Sequence, residues 1–308
     1  MLLGLPSVSI LMPAFNEEKF IEQSVQSALD QSYKNKEIVV ADDNSTDQTW
    51  AILQKYQDLP DVHLFRNAQN LGRVGNHRYL LYDLAQGDFV VMLDADDYFL
   101  EANFISQAVE MALLNSLDFV FSQSLVQRPN GSTFKAEFPF LASGVYSWRN
   151  IFKNGILFMH GAVFYRRDPA LNYNFYSQNI IADDNESFLR FVVGRKVGFL
   201  KQSAYLYRQD NNPDRYSLED RLKNDKMIKG VYDFAIEANP DARQLFDDWQ
   251  IKMRANFFYG NLRNLLAHQK FKSTAAYLLA YSKRNGFLDL FRVVIRFLTV
   301  FKWGYQSS

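Results

Sequence analysis

The first 117 residues alternate between short apolar runs and stretches with helical periodicity, and no other feature constrains the fold as much. Strands that alternate with helices of about ten to fifteen residues form right-handed βαβ units around a mostly parallel sheet. The sequence therefore predicts an α/β fold with a doubly wound central sheet. The predicted strands are residues 8–12, 37–41, 62–65 and 89–93, and the predicted helices are residues 17–31, 47–57 and 74–85.

Beyond residue 118 the pattern changes twice. Shorter strand candidates at 119–124 and 162–165 are separated by turn-rich segments, which favours a smaller, mixed-sheet half. From residue 218 onward, apolar residues recur at helical spacing. We therefore predict one domain over residues 1–217 and a helical C-terminal extension over residues 218–308.

Three carboxylates follow the apolar run 89–93 within four positions, at Asp94, Asp96 and Asp97. Open α/β sheets bind ligands beyond the carboxyl ends of their strands. Carboxylates crowded at such a place repel one another unless a cation intervenes, and oxygen ligands favour Mg²⁺ or Mn²⁺ over zinc. The motif therefore predicts a site for a metal-bound diphosphate. Taken alone, it also fits an acidic turn that precedes a helix.

A second acidic run, residues 42–47, follows the predicted strand 37–41, so carboxylates from two strand ends should meet at one edge of the sheet. Part of this run fits the start of a helix. Asp43 is not explained in that way. An aspartate at such an edge can accept the imide N–H of uracil, a contact that cytosine cannot make because its N3 carries no proton.

Two further loops offer groups for a nucleotide. Pro13 and Asn16 suit a turn after the first strand, against which a flat base can lie. In the loop 70–78, Gly72 permits close backbone approach, and either Arg73 or Arg78 is suited to contact a phosphate or a base.

Composition narrows the class of protein. The chain has no cysteine, so a disulfide framework and a thiolate zinc site are excluded, and its four scattered histidines argue against a His-rich metal site. The N-terminus lacks the basic region of a signal peptide, and we expect a cytoplasmic protein. Of the 34 basic and 34 acidic side chains, residues 1–220 carry 19 basic and 27 acidic ones. Residues 221–308 carry the remaining 15 basic and 7 acidic ones. This asymmetry favours an anionic partner for the C-terminal part, and no motif indicates nucleic acid.

The segment 286–303 is apolar but contains Asp289, Arg292 and Arg296. These charges argue against a transmembrane span. Two interpretations remain open. The segment is either an amphipathic helix that lies in the membrane surface, at the inner face of the cytoplasmic membrane, or a helix that packs on the main domain.

Four ordered motifs, within residues 7–215, resemble a known family. They are the segments 8–17 (VSILMPAFNE), 27–33 (SALDQSY), 37–47 (EIVVADDNSTD) and 93–97 (LDADD). Together they resemble the inverting nucleotide-sugar glycosyltransferases of family 2, which have the GT-A fold. The resemblance implies transfer of a sugar from a uridine diphosphate (UDP) donor to a hydroxyl of a glycan or lipid-linked glycan acceptor.

The resemblance also implies roles for individual residues. Asp184, in the segment 181–190, matches the position of the catalytic base, and Asp96 matches a ligand of Mg²⁺ or Mn²⁺. Asp210 stands where the family often has a histidine that assists metal or phosphate binding, so it either ligates the metal or the contact is absent. The implied donor-binding residues are Pro13, Ala14, Asn16, Glu17, Asp43, Gly72, Arg73, Arg78, Asp94 and Ala95, and the candidate acceptor-binding residues are Asp183, Trp148 and His160. Core packing is the alternative for Trp148, and a buried histidine with a structural hydrogen bond is the alternative for His160.

Several alternatives stay open. Asp183 replaces a frequent glutamate of the family, which shortens the side chain. Thymine shares the imide of uracil, so a thymidine diphosphate donor fits Asp43 equally well. A nucleotidyltransferase is the rival enzyme, although residues 12–18 lack the glycine-rich basic loop that holds a triphosphate. A catalytically silent glycan-binding relative is the rival from another class.

Overall fold

The computed structural model describes residues 4–177, 180, 183–209, 217–267 and 269–286. The chain divides into two compact units. The sheet unit comprises Met1–Trp148, Leu157–Asn179 and Ser187–Asp210, and the helical unit comprises Arg149–Ile156, Ile180–Glu186 and Asn211–Ser308. The domain boundary between residues 217 and 218 stays a prediction.

The first half of the sheet unit contains the βαβ units that the sequence predicts. In chain order its elements are β1 (Val8–Ala14), α1 (Ile21–Leu29), β2 (Lys36–Asp42), α2 (Thr49–Leu53), a 3-10 turn (Gln54–Tyr56), β3 (Val62–Arg66), α3 (Arg73–Arg78), a π-helical turn (Tyr79–Leu84) and β4 (Phe89–Met92). The predicted helix 74–85 is thus divided. Its second part is π-helical, as shown by the hydrogen bond from Ala85 N to Leu80 O.

The chain continues through shorter and more varied elements. They are β5 (Tyr98–Phe99), α4 (Phe104–Asn115), β6 (Phe119–Gln127), β7 (Thr133–Ala136), β8 (Gly144–Ser147), α5 (Trp148–Asn154), β9 (Val163–Arg166), α6 (Arg167–Asn172), α7 (Asp183–Val192) and β10 (Lys196–Arg208). Strands β5, β7 and β8 were not predicted, because two to four residues are too few for a periodic pattern.

One sheet runs through the sheet unit in the order β3-β2-β1-β4-β9-β6-β10-β5, with β7 added to β6 and β8 added to β10. Strands β1 to β4 pair in parallel, as do β6 and β10. Strand β9 is antiparallel to both β4 and β6, and β5, β7 and β8 are also antiparallel. The predicted parallel half and mixed half are therefore both present.

Both faces of the central strands are covered. Ile10 and Val40 belong to one apolar cluster, to which α1 and α4 contribute Val25 and Ile105. The alternate residues of the same strands, such as Leu11, are buried as well. Since neighbouring residues of a strand point to opposite faces, burial of both sets requires a layer on each side of the sheet. The uninterrupted apolar runs in the sequence have this origin.

Gly87 provides a test of packing at the start of β4. A Cβ atom there would lie 2.5 Å from the backbone nitrogen of Ser9, which cannot move without distorting β1. We expect Gly87→Ala to lower the free energy of unfolding by about 3 kcal/mol. Gly144→Ala is the matched control, since a Cβ atom there meets nothing within 4 Å, and its effect should stay below about 0.5 kcal/mol. Urea unfolding followed by tryptophan fluorescence measures both, and equal stabilities would contradict the prediction.

The helical unit contains α8 (Leu218–Ala238), α9 (Arg243–Ala267) and α10 (Phe271–Asn285), so the predicted helical extension is confirmed. Phe152 packs against Phe246 and Trp249 of α9, with ring centroids 5.0 and 5.1 Å apart. A second cluster joins Phe258 of α9 to Tyr281 of α10. The predicted amphipathic segment 286–303 lies outside the described residues, apart from its first residue. Among the described helices, none is long and apolar enough to cross a bilayer.

Candidate active site

The carboxyl ends of β2, β1 and β4 lie side by side at one edge of the sheet. Ala14 pairs with Asp42 and Leu11 pairs with Met92 in register. The backbone nitrogen of Asp43 donates to Ala14 O at 2.8 Å, and that of Leu93 donates to Leu11 O at 2.8 Å. The loops 13–17, 42–47 and 93–97 therefore leave the sheet from the same edge, as the sequence predicts.

The first two of these loops are joined by hydrogen bonds. Asn16 has a left-handed backbone with φ 57°, and its Oδ1 accepts from the backbone nitrogen of Thr46 at 2.8 Å. Its own backbone nitrogen donates to Ser45 Oγ at 2.9 Å. The backbone nitrogen of Glu17 donates to Thr49 Oγ1 at 2.7 Å. The turn after β1, with half-buried Pro13, is therefore held rigidly against the loop after β2.

Asp43 is buried, with 2% of its surface exposed, and it anchors a third loop. Its Oδ1 accepts from Asn67 Nδ2 and from the backbone nitrogen of Leu71, both at 2.7 Å. Its Oδ2 accepts from the backbone nitrogen of Gly72 at 2.9 Å. Gly72 has φ +75°, which favours glycine. A carboxylate offers about four acceptor positions, so one is left for a further donor.

The two candidate arginines of α3 have different surroundings. Arg78 is half-buried, and its guanidinium donates to Asn174 Oδ1 and Phe175 O, both at 3.2 Å, while it lies over the Tyr82 ring. It thereby ties the end of α3 to the loop after α6. Arg73, in the first turn of α3, is exposed. Of the two, Arg73 has its side chain on the surface.

Asp94 lies between two imidazole rings. His77 Nε2 is 3.7 Å from Asp94 Oδ1, and His160 Nδ1 is 3.6 Å from Asp94 Oδ2. Only 1% of the His77 side chain and 6% of the His160 side chain are exposed, compared with 32% for Asp94. Burial acts to raise the pKa of Asp94, but the two rings outweigh it and hold the pKa well below its usual value. The three side chains form a group that could hold a metal ion.

The remaining part of the acidic motif is fixed by Arg208 of β10. The Arg208 guanidinium donates to the Asp96 carbonyl, and the Arg208 backbone nitrogen donates to Asp97 Oδ1 at 2.7 Å. Asp97 is fully buried, and this burial raises its pKa, as do the nearby carboxylates of Asp96 and Asp94. Ala95 is also buried, and its carbonyl accepts from Ser24 Oγ at 2.7 Å. Asp94 and Asp96 are half-buried, so the motif presents these two carboxylates.

The candidate base and the acceptor residues lie elsewhere in the chain. Asp183 and Asp184 occupy the first turn of α7, where Asp183 is buried and Asp184 is half-buried. Both belong to the helical unit. Trp148 is buried at the start of α5, which suits packing. Asp210 lies outside the described residues. The proposed roles of these residues stay predictions.

Sequence reasoning missed three residues that organise this edge, namely Asn67, His77 and Arg208. His77 lies in the loop that was noted for its arginines, and only its type, one of four histidines, could have drawn attention. Asn67 bears no local pattern, and Arg208 lies in the segment 205–210 that was noted only for Asp210. The partners of the two residues, Asp43 and Asp97, are distant in the sequence.

The parallel strand ends, the half-buried aspartates and the adjoining loops lie where open α/β sheets bind their ligands. Residues 9–173, more than half of the chain, match the family "Glycosyl transferase family 2". The chain therefore belongs to this family.

Two curated relatives illustrate the match. The Escherichia coli protein UDP-Glc:alpha-D-GlcNAc-diphosphoundecaprenol beta-1,3-glucosyltransferase WfaP is 32% identical over 140 residues, which are 46% of this chain and 51% of the relative. The Campylobacter jejuni protein GalNAc(5)-diNAcBac-PP-undecaprenol beta-1,3-glucosyltransferase is 40% identical over 96 residues, 30% of each chain. The chain thus spans about half the length of the first of these relatives and 30% of the second.

Solved structures extend the likeness to nearly the whole chain. Staphylococcus aureus TarS 1-349 in complex with UDP matches with a TM-score of 0.70 and 18% identity, covering 93% of this chain and 89% of TarS 1-349. A mannosyltransferase from Pyrobaculum calidifontis, in complex with GDP-Man and Mn²⁺, matches with a TM-score of 0.59 and 19% identity, covering 97% and 81%. At these identities the likeness shows the fold, and the predicted GT-A fold is confirmed.

Proposed function

We propose that the protein transfers a sugar from a UDP-sugar to a hydroxyl of a glycan or lipid-linked glycan, with inversion at the anomeric carbon. The observation that carries the proposal is the convergence of three loops, 13–17, 42–47 and 93–97, at one edge of the parallel sheet. This is the position at which open α/β sheets bind nucleotides.

The donor would be held by groups with complementary chemistry. Asp43 has one acceptor position left after its three hydrogen bonds, which suits the imide N–H of uracil. Pro13 and Asn16 lie in a turn that is rigid before any ligand binds, and such preorganisation favours affinity. Arg73 is exposed and can reach a phosphate, whereas Arg78 holds the loop after α6.

The carboxylate oxygens of the acidic motif are donors that suit a divalent cation. Asp96 is a half-buried carboxylate at a strand end, and an oxygen donor of this kind suits Mg²⁺ or Mn²⁺. Such an ion neutralises charge on the departing nucleoside diphosphate. Arg208 holds the backbone at Asp96 and thereby orients the motif. Asp97 is buried and serves the packing of the loop.

Asp184 would act as the base. A carboxylate near the acceptor hydroxyl takes its proton as the oxygen attacks the anomeric carbon, and a single displacement inverts that carbon. This role rests on the resemblance of the segment 181–190 to the family, and on the half-buried place of Asp184 in the first turn of α7.

The names of the relatives support the substrate class. WfaP and the Campylobacter jejuni protein are both named as glucosyltransferases that act on undecaprenol-linked glycans, and the name of WfaP includes the UDP-Glc donor. TarS binds UDP in its solved complex. We carry the UDP-linked donor and the lipid-linked acceptor over to this chain as part of the proposal.

Calorimetric titration of the full chain with UDP, with and without Mn²⁺, tests the donor site. We expect UDP to bind, and Mn²⁺ to tighten binding by at least about tenfold, or 1.4 kcal/mol. Release of nucleoside diphosphate from a panel of activated sugars, with a lipid extract as acceptor, then identifies the donor. Absence of binding heat under both conditions would rule out the proposed donor site.

Lipid-linked acceptors reside at a membrane, and the basic C-terminal part suits an anionic surface. The proposal therefore includes peripheral association through the segment 286–303. Flotation with vesicles of phosphatidylglycerol compares the full chain with a chain that lacks the last 23 residues, 286–308. Loss of flotation in the shorter chain is expected, and equal flotation would remove this role.

A further inference from the structure

Two buried imidazole rings and a carboxylate converge at the end of β4. His77 comes from the last turn of α3, Asp94 follows β4, and His160 precedes β9, so separate elements supply the three side chains. One ligand atom from each lies within 4.8 Å of the others. The rings of His77 and His160 meet edge to face, with centroids 4.9 Å apart.

We propose that His77, Asp94 and His160 form a three-ligand site for a borderline divalent cation, with a preference for Zn²⁺ or Co²⁺ over Mg²⁺. Imidazole nitrogen suits zinc, copper, iron and nickel, whereas Mg²⁺ prefers oxygen ligands. The donor set of two nitrogens and one oxygen therefore selects a different ion from the one that Asp96 would favour with oxygen donors alone.

The distances support coordination. In a tetrahedral zinc site the metal–nitrogen and metal–oxygen bonds are about 2.0 to 2.2 Å, so neighbouring donor atoms lie about 3.4 Å apart. His77 Nε2 lies 3.7 Å from Asp94 Oδ1, and His160 Nδ1 lies 3.6 Å from Asp94 Oδ2. A small rotation of the carboxylate would bring one of these oxygens to both nitrogens, and one ligand atom from each residue already lies within 4.8 Å of the others.

Tyr176 supports the site from outside. Its hydroxyl is 2.7 Å from His160 Nε2, which leaves Nδ1 as the atom that faces Asp94. With the proton on Nε2 donated to Tyr176, the Nδ1 lone pair is available to a metal. Tyr176 is itself fixed, because its backbone nitrogen donates to Ser187 Oγ at 2.9 Å and its carbonyl accepts from Arg78.

The site is open on one side. Both rings are buried, whereas about a third, 32%, of the Asp94 side chain is exposed. Three protein ligands with an open fourth position are typical of catalytic metal sites, which accept water or a substrate atom there. Within the proposed function, a diphosphate oxygen of the donor would take this position; this step alone rests on the proposed function.

Cobalt titration of the full chain tests the site without nucleotide. The protein is stripped with a chelator and dialysed, and Co²⁺ binding is followed by its visible d–d absorption. We expect one Co²⁺ per chain with nitrogen ligation. His77→Asn and His160→Asn should each weaken binding by at least about a hundredfold. Tyr176→Phe should weaken it by about tenfold, because it removes only a supporting hydrogen bond.

His63→Asn is the matched control. His63 is exposed on β3, where it pairs with Glu37, and its replacement should leave Co²⁺ affinity unchanged. Circular dichroism of the metal-free variants verifies the fold, and His77→Gln and His160→Gln replace any asparagine variant that does not fold.

Two results would overturn the site: no Co²⁺ binding by the parent chain, or parental affinity in the folded His77 and His160 variants. The first would leave an ion pair of imidazolium and carboxylate as the role of the cluster. UDP titration of the same samples separates the two proposals. Normal UDP binding with a flat cobalt titration contradicts only the histidine site, whereas cobalt binding without UDP binding contradicts only the donor site.

Discussion

Asp184→Asn should abolish sugar transfer and spare UDP binding. The asparagine has nearly the same shape but cannot take a proton from the acceptor hydroxyl. General base catalysis contributes about 10² to 10⁴ in rate, so kcat should fall by that factor. The Kd for UDP should stay within about twofold, since the donor groups proposed here, such as Asp43 and Asp94, belong to other segments.

Steady-state kinetics and UDP titration on the same preparation measure both quantities. Asp168→Asn is the matched control, because the Asp168 side chain is 87% exposed on α6 and has no proposed part in the reaction. Its kcat should equal that of the parent. Transfer by Asp184→Asn at the parental rate would show that another group takes the proton.

Asp43→Asn should weaken UDP binding by about a hundredfold, which corresponds to about 3 kcal/mol. The amide replaces an acceptor oxygen by a donor nitrogen, which then faces one or more of the donors Asn67, Leu71 and Gly72. A buried donor without an acceptor costs about 1 to 3 kcal/mol, and the loop before α3 should loosen with it. The free energy of unfolding should fall by about 2 kcal/mol for the same reason.

Comparison of UDP with CDP separates base recognition from loop anchoring. If Asp43 accepts the uracil imide, the parent should prefer UDP and Asp43→Asn should lose that preference. Asp58→Asn, an exposed substitution, should change neither affinity nor stability. A variant that keeps the parental preference for UDP would restrict Asp43 to anchoring the loop 67–72.

The parallel half of the fold could be predicted because its signals are local. Strands 8–12, 37–41, 62–65 and 89–93 are each uninterrupted or nearly so in apolar character, and each lies within an observed strand or extends one residue beyond it. The π-helical turn after α3 was not predictable. Its sequence has ordinary helical periodicity, and the burial of Leu80 and Leu81 fits an α-helix equally well.

Only those residues of the candidate site that directly follow a strand could be predicted from the sequence. Asp43, Asp94 and Asp96 follow buried strands, and a parallel sheet places such residues at one edge whatever else the chain does. The surroundings of each carboxylate were beyond prediction. The acceptor positions of Asp43 are mostly taken by loop donors, and Asp97 is buried and packed, although both occur in runs of similar residues.

The sequence by itself determined the family, the order of the first four long strands along the chain, and which carboxylates reach the edge of the sheet. These features depend on periodicity and on short motifs. Only the tertiary structure decided that His77 and His160 meet at Asp94, and that Arg78 holds a loop while Arg73 is exposed. The physical reason is that such contacts join side chains from distant segments, and their geometry depends on how the intervening helices and strands pack.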